Sequence, residues 1–95
     1  MKVITINGDR ISDIKTFHKE IDRVLTKNLD WKTGHNLDAF NDLLAGGFGV
    51  YDYHEKVKIV WKHFLKSKRT LGDEMTDTLL DIISDHEHIE FSTED

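Results

Sequence analysis

Val57-Lys58-Ile59-Val60-Trp61 is the stretch that decides the fold. Four of its five residues are β-branched or aromatic, which is the composition of a strand. Val57, Ile59 and Trp61 share one parity, so the indole belongs with the core face rather than with solvent. On the N-terminal side, Val3 to Ile6 reads as a second short strand, stopped at Asn7-Gly8. Asn-Gly often turns a hairpin, but a helical pattern follows, so a crossover is expected. On the C-terminal side, Ile89-Glu90-Phe91 alternates as a third strand.

The segments between the strands carry helical spacing. Ser12 is the expected N-cap of a first helix, in which Ile14, Phe17, Ile21, Val24 and Leu25 form one apolar stripe. A break follows from Asn28 to Gly34, and it holds Trp31. A second helix is expected from near Asn36 through Leu44, with Leu37, Phe40 and Leu44 facing inward. Gly46, Gly47 and Gly49 end it and open an irregular segment with Phe48, Tyr51 and Tyr53. A third helix is expected within Lys62 to Arg69, broken at Leu71-Gly72, and a fourth is marked by Met75, Leu79, Ile82 and Ile83. Strands joined by long helical crossovers pair as a parallel sheet. The expected fold is α/β: a three-stranded parallel sheet covered by about four helices, in one domain spanning 1–95.

Composition narrows the function. Cysteine is absent, so neither disulfides nor thiolate chemistry are available. No run approaches the length of a membrane span or a signal sequence, which points to a soluble cytoplasmic protein. Thirteen Lys and Arg against eighteen Asp and Glu leave a net charge of −5. Such a chain repels phosphates and favours basic partners, so direct nucleic-acid binding is not expected.

The charge is unevenly placed. From Thr33 to Glu55 there is no Lys or Arg, where a uniform spread would put about three. The same window holds Asp38, Asp42, Asp52 and Glu55. Asp38 and Asp42 stand four apart on the second helix, hence on one face, where they repel each other by a few tenths of a kcal/mol. Neither has a lysine at i+4. Two readings follow from the spacing. A cationic partner supplies the missing countercharge, or Asp38 favours the helix dipole and Asp42 is an ordinary solvated side chain.

The segment Gly34-His35-Asn36-Leu37-Asp38-Ala39-Phe40-Asn41-Asp42-Leu43-Leu44 resembles the inhibitory helix of the barstar family, which carries a G-x-N-L-D-A-L-x-D-x-L pattern there. Ile6-Asn7-Gly8 ahead of a first helix resembles the family opening. The strand ending at Trp61 and the short polar helix after it agree in order and spacing, so the resemblance spans essentially the whole chain. It implies a three-stranded parallel sheet with helices, and an inhibitor that plugs the active site of a basic secreted ribonuclease such as barnase. It also implies that Asp38 and Asp42 take phosphate positions against cationic side chains. Asn36, Gly34 and His35 would frame that helix, Gly46 and Gly47 would pack on the enzyme at its end, and Asp85 would be a peripheral acidic contact. The rim departs from the pattern. Lys32-Thr33 stands where the family has an aromatic pair, with Trp31 one step earlier, His35 stands where an acid is usual, and Asn41 replaces an aromatic. These departures point to the class of activity rather than to barnase itself, and Trp31 joins the candidate contacts.

Other constellations are weaker. His86-Glu87-His88 lacks the three or four convergent ligands of a zinc site, so no metal is expected. His35 and His54 flank the acidic helix, yet no nucleophile motif accompanies them, and no cofactor or catalysis is expected. Gly46-Gly47-Phe48-Gly49 follows a helix and lacks a lysine, unlike a phosphate loop. The run Lys56, Lys58, Lys62, Lys66, Lys68, Arg69 reads as a solvated face. The expected function is inhibition of a ribonuclease by a protein that is monomeric when free. The alternative is a barstar-like scaffold serving as immunity or regulatory partner of some other protein.

Overall fold

The computed structural model describes residues 1–29, 31 and 33–95. Strand β1 (Lys2–Asn7) leads through a single 3₁₀ turn at Gly8–Arg10 to helix α1 (Ile14–Leu25). Helix α2 (Leu37–Ala45), strand β2 (Val57–Lys62), helices α3 (Phe64–Leu71) and α4 (Asp73–Ser84), and strand β3 (Ile89–Thr93) complete the order. All pairing is parallel, with β2 in the centre and the order β1-β2-β3. Ile59 lies between Ile4 of β1 and Phe91 of β3, and Trp61 between Ile6 and Thr93. The α/β reading of the sequence is therefore what the chain adopts.

Trp61 faces the core, as its strand parity predicts. The indole is fully buried, 5.6 Å from the ring of Phe17 and 5.2 Å from that of Phe64. Its Nε1–H donates to Ser67 Oγ at 3.0 Å, so the one polar atom of the ring is satisfied inside the core. Ile4, Ile6, Val57 and Ile59 share its core cluster with Phe17, Ile21 and Leu25 from α1. Phe40, Leu43 and Leu44 of α2, and Leu79 and Ile83 of α4, belong to the same cluster. Phe40 meets Phe17 edge-on at 5.2 Å, which fixes α2 against α1.

Several local expectations shift. Asp13, not Ser12, caps α1. Its carboxylate accepts from Thr16 N at 2.8 Å, while Asp13 N–H donates back to Thr16 Oγ1 at 3.0 Å. Ser12 N–H also donates to Thr16 Oγ1, so the serine feeds the cap without being it. Ile14, at the first position of α1, is exposed rather than part of the stripe, and Leu37 is only half-buried. The break from Asn28 to Gly34 is described except at Asp30 and Lys32, so the place of Lys32 in the rim lies outside the described residues. No helix among the described residues is long and apolar enough to cross a membrane.

One unforeseen feature ties β1 to α1. The Glu20 side chain is buried and receives the Asn7 N–H at 2.7 Å. Arg23 grips it through Nε and Nη2, both at 2.7 Å, and Arg10 Nε lies 3.3 Å away. A buried carboxylate needs this much compensation. The guanidinium of Arg23 is in turn held more firmly protonated by its hydrogen bonds to Glu20.

Candidate functional site

Helix α2 is short, and its two ends explain why it stands rigid. Asn36 is the N-cap, its Oδ1 accepting from Ala39 N at 2.8 Å. At the other end, three groups satisfy the last carbonyls. Leu44 O accepts from Tyr51 Oη–H and from His88 Nε2–H, both at 2.9 Å, and Ala45 O accepts from His54 N–H at 2.7 Å. The Tyr51 phenol is buried in doing so, and burial, with the Glu55 charge adding to it, pushes its ionisation well above the ordinary range. Gly46 makes the turn. It has φ +95°, and a Cβ there would run into Asp52 O and the Tyr51 ring.

Asp38 and Asp42 both face solvent from this helix. Asp38 lies in the first turn, where its charge suits the helix dipole. Asp42 lies in the last turn, where a negative charge opposes it. Among the described residues neither carboxylate forms an ion pair or accepts a side-chain hydrogen bond.

Two clefts share Asp42 as a common wall. One, of about 210 Å³, is framed by Trp31, Gly34, Ala39, Leu43 and Phe48. Trp31 is half exposed and meets Phe48 edge-on, with centroids 6.0 Å apart. The other, of about 480 Å³, is framed by Asn41, Gly46, Phe48, Tyr53, His54 and His86. Asp42 thus stands between an aromatic slot and an imidazole-lined slot.

The remaining sequence candidates divide. Gly34 borders the aromatic slot, and Gly47 is exposed beyond the helix end. Gly46 itself is buried, and its part is to shape the turn. His35 turns away from α2: its Nε2–H donates to Asp22 Oδ2 of α1 at 2.5 Å, and its ring stacks on His18. It lines a separate groove of about 650 Å³ with Asp22, Thr26 and Trp31. The neighbouring His18 is held toward its neutral form by burial and by the nearby His35, against the pull of Asp22. Asp85 is the C-cap of α4. It borders a third cleft with His54, Lys56, Glu87 and His88, not the clefts that Asp42 shares.

His54 flanks the acidic helix as the sequence suggests, and the structure adds Phe48, Tyr53 and His86 to the same cleft as Asp42. They come from the loop after α2 and from the turn between α4 and β3, and only the parallel topology brings that turn beside α2. His86 Nε2–H donates to Asn41 Oδ1 at 2.8 Å, a direct tie between the two segments. Among the described residues, no group of three or more His, Asp or Glu converges tightly enough to hold a metal.

Comparison with known proteins adds the family. The family described as Barstar (barnase inhibitor) matches residues 1–93. No curated protein matches the chain. Because the match runs from the start of β1 to the end of β3, the chain belongs to the barstar family.

Proposed function

We propose that this chain is a cytoplasmic inhibitor of a basic, secreted ribonuclease of the barnase class, and that α2 closes the enzyme's active site. Residues 1–95 act as one domain, monomeric when free, and the protein blocks catalysis rather than performing it. The observation that carries the proposal is the pair of exposed carboxylates one turn apart on a helix pinned at both ends. A ribonuclease cleft is cationic and shaped for a polyanion. A rigid helix offering Asp38 and Asp42 at fixed spacing meets it without losing chain entropy, and gains charge-assisted hydrogen bonds in doing so. The two clefts beside Asp42 give room for side chains of the partner, with Trp31 and Phe48 as aromatic walls. Asn36 and Gly34 support the helix start, Gly46 and Gly47 its end, while His35 and Asp85 lie at the periphery.

The test is a titration of barnase and a panel of small basic microbial ribonucleases, following RNA hydrolysis. The wild-type chain is run beside the Asp38→Ala/Asp42→Ala double variant, with the fold of each checked by circular dichroism. Activity falling to zero at one equivalent for the wild type only supports the reading. Undiminished inhibition by a folded double variant contradicts it, and no inhibition across the panel assigns the scaffold to another partner.

A further inference from the structure

Three imidazoles border the end of α2. The ring centroids of His54 and His88 are 5.2 Å apart, those of His86 and His88 5.5 Å, and Tyr53 stacks on His54 at 3.9 Å. His54 and His86 line the same cleft as Asp42, and His88 sits behind them against the Leu44 carbonyl. A carbonyl only accepts, so the Nε2 of His88 carries its hydrogen and Nδ1 is the atom free to take a proton. His86 is bonded the same way, through Nε2–H to Asn41 Oδ1. A proton on either Nδ1 therefore adds a full charge while leaving the hydrogen bond in place. His54 makes no side-chain hydrogen bond among the described residues. Here charge can change without any movement of the backbone.

We propose that His54, His86 and His88 form a proton-sensing edge of the Asp42 cleft, which releases a cationic partner in mildly acidic solution. This rests on the inhibitory reading of α2. The cleft presents Asp42 to the partner beside these rings. An ordinary histidine charges around pH 6.5, far above the aspartates. Acidification therefore sets like charges against the partner before it removes the attractive ones. The surrounding groups modulate this. Asp42 on α2, Asp85 and Glu87 on the turn, and Lys56 in the loop are the charged groups that border the three rings. Burial first, then the nearness of His88 and His54, holds His86 toward its neutral form, against Asp85.

The test compares the Kd for barnase between pH 7.5 and 5.5, for the wild-type chain and for His54→Asn/His86→Gln/His88→Gln. Asparagine suits the left-handed backbone at His54, where φ is +59°. The glutamines keep an N–H for the two hydrogen bonds. Titrations on the ribonuclease affect both proteins alike and cancel in the comparison. Each imidazole that binding requires neutral weakens the complex by up to about tenfold at pH 5.5. The wild-type Kd is expected to rise at least tenfold more than that of the variant. Parallel pH profiles overturn the proposal. Failure of the wild type to bind at pH 7.5 removes the inhibitory reading first, and this inference with it. Should the triple variant fail to fold, His54→Asn alone, which breaks no hydrogen bond, is expected to remove a several-fold part of the wild-type rise, and a pH profile parallel to the wild type overturns the proposal.

Discussion

Replacing Asp42 by alanine is expected to make the protein more stable and a much worse inhibitor. Three terms at Asp42 oppose folding. It repels Asp38 across one turn, at a few tenths of a kcal/mol. It places a negative charge in the last turn of α2, at roughly the same cost. Aspartate is also a poorer helix former than alanine by about half a kcal/mol. Nothing among the described residues offsets these, because the exposed carboxylate has no hydrogen-bond or ion-pair partner. Asp42→Ala should thus gain about 1 kcal/mol, or roughly 4–8 °C in Tm for a domain of this size. Binding runs the other way. Truncating one member of a charge pair buried in a complex costs about 2–5 kcal/mol, which is roughly 30- to 5,000-fold in Ki. Urea unfolding followed by tryptophan fluorescence measures the first effect, and inhibition of RNA hydrolysis the second. A loss of more than 0.5 kcal/mol of stability, or an unchanged Ki, would refute the reasoning that Asp42 is kept for binding at the expense of the fold.

Glu20→Ala should destabilise by about 2–4 kcal/mol, since it orphans the Asn7 N–H at the end of β1, while Arg10 and Arg23 are half exposed and recover solvation; a loss under 1 kcal/mol in urea unfolding would show the clamp to be idle. Gly46→Ala should cost about 2 kcal/mol or more, from positive φ together with the collision against Asp52 and Tyr51, and thermal unfolding within 2 °C of wild type would contradict it. Tyr51→Phe removes the bond to Leu44 O and should cost about 1 kcal/mol at pH 7. The folded-state phenol ionises above its unfolded value, so its contribution is complete below about pH 10 and is lost as pH rises beyond that. The stability gap between wild type and Tyr51→Phe should therefore close by about 1 kcal/mol by pH 11, and a gap unchanged in alkaline denaturation curves would count against it.

Strand composition and parity were enough to read β2, the burial of Trp61 and the parallel architecture, because those patterns are local and the core obeys them. Asn36 as the start of α2 was equally legible, a strong capping residue just ahead of Leu37. The cap of α1 was not, since Ser12 and Asp13 are both good caps and only the answering side chain of Thr16 chooses between them. Glu20 was invisible: a glutamate on an amphipathic helix reads as solvated, and its burial depends on Asn7 and Arg10, far away in sequence. The carboxylate pair of the candidate site was readable from an absence of lysine. The place of His86 beside it was not, because His86 lies 45 residues from Asn41 and meets it only once β3 is laid beside β2.

If α2 occupies the phosphate positions of a ribonuclease active site, a nucleotide bound there must compete with it. The most direct measurement is a calorimetric titration of barnase with this chain, alone and with the active site saturated by a 3′-mononucleotide. One chain is expected to bind per enzyme, with an apparent affinity that falls in proportion to nucleotide occupancy. Equal affinity with and without nucleotide would place the chain elsewhere on the enzyme and contradict it.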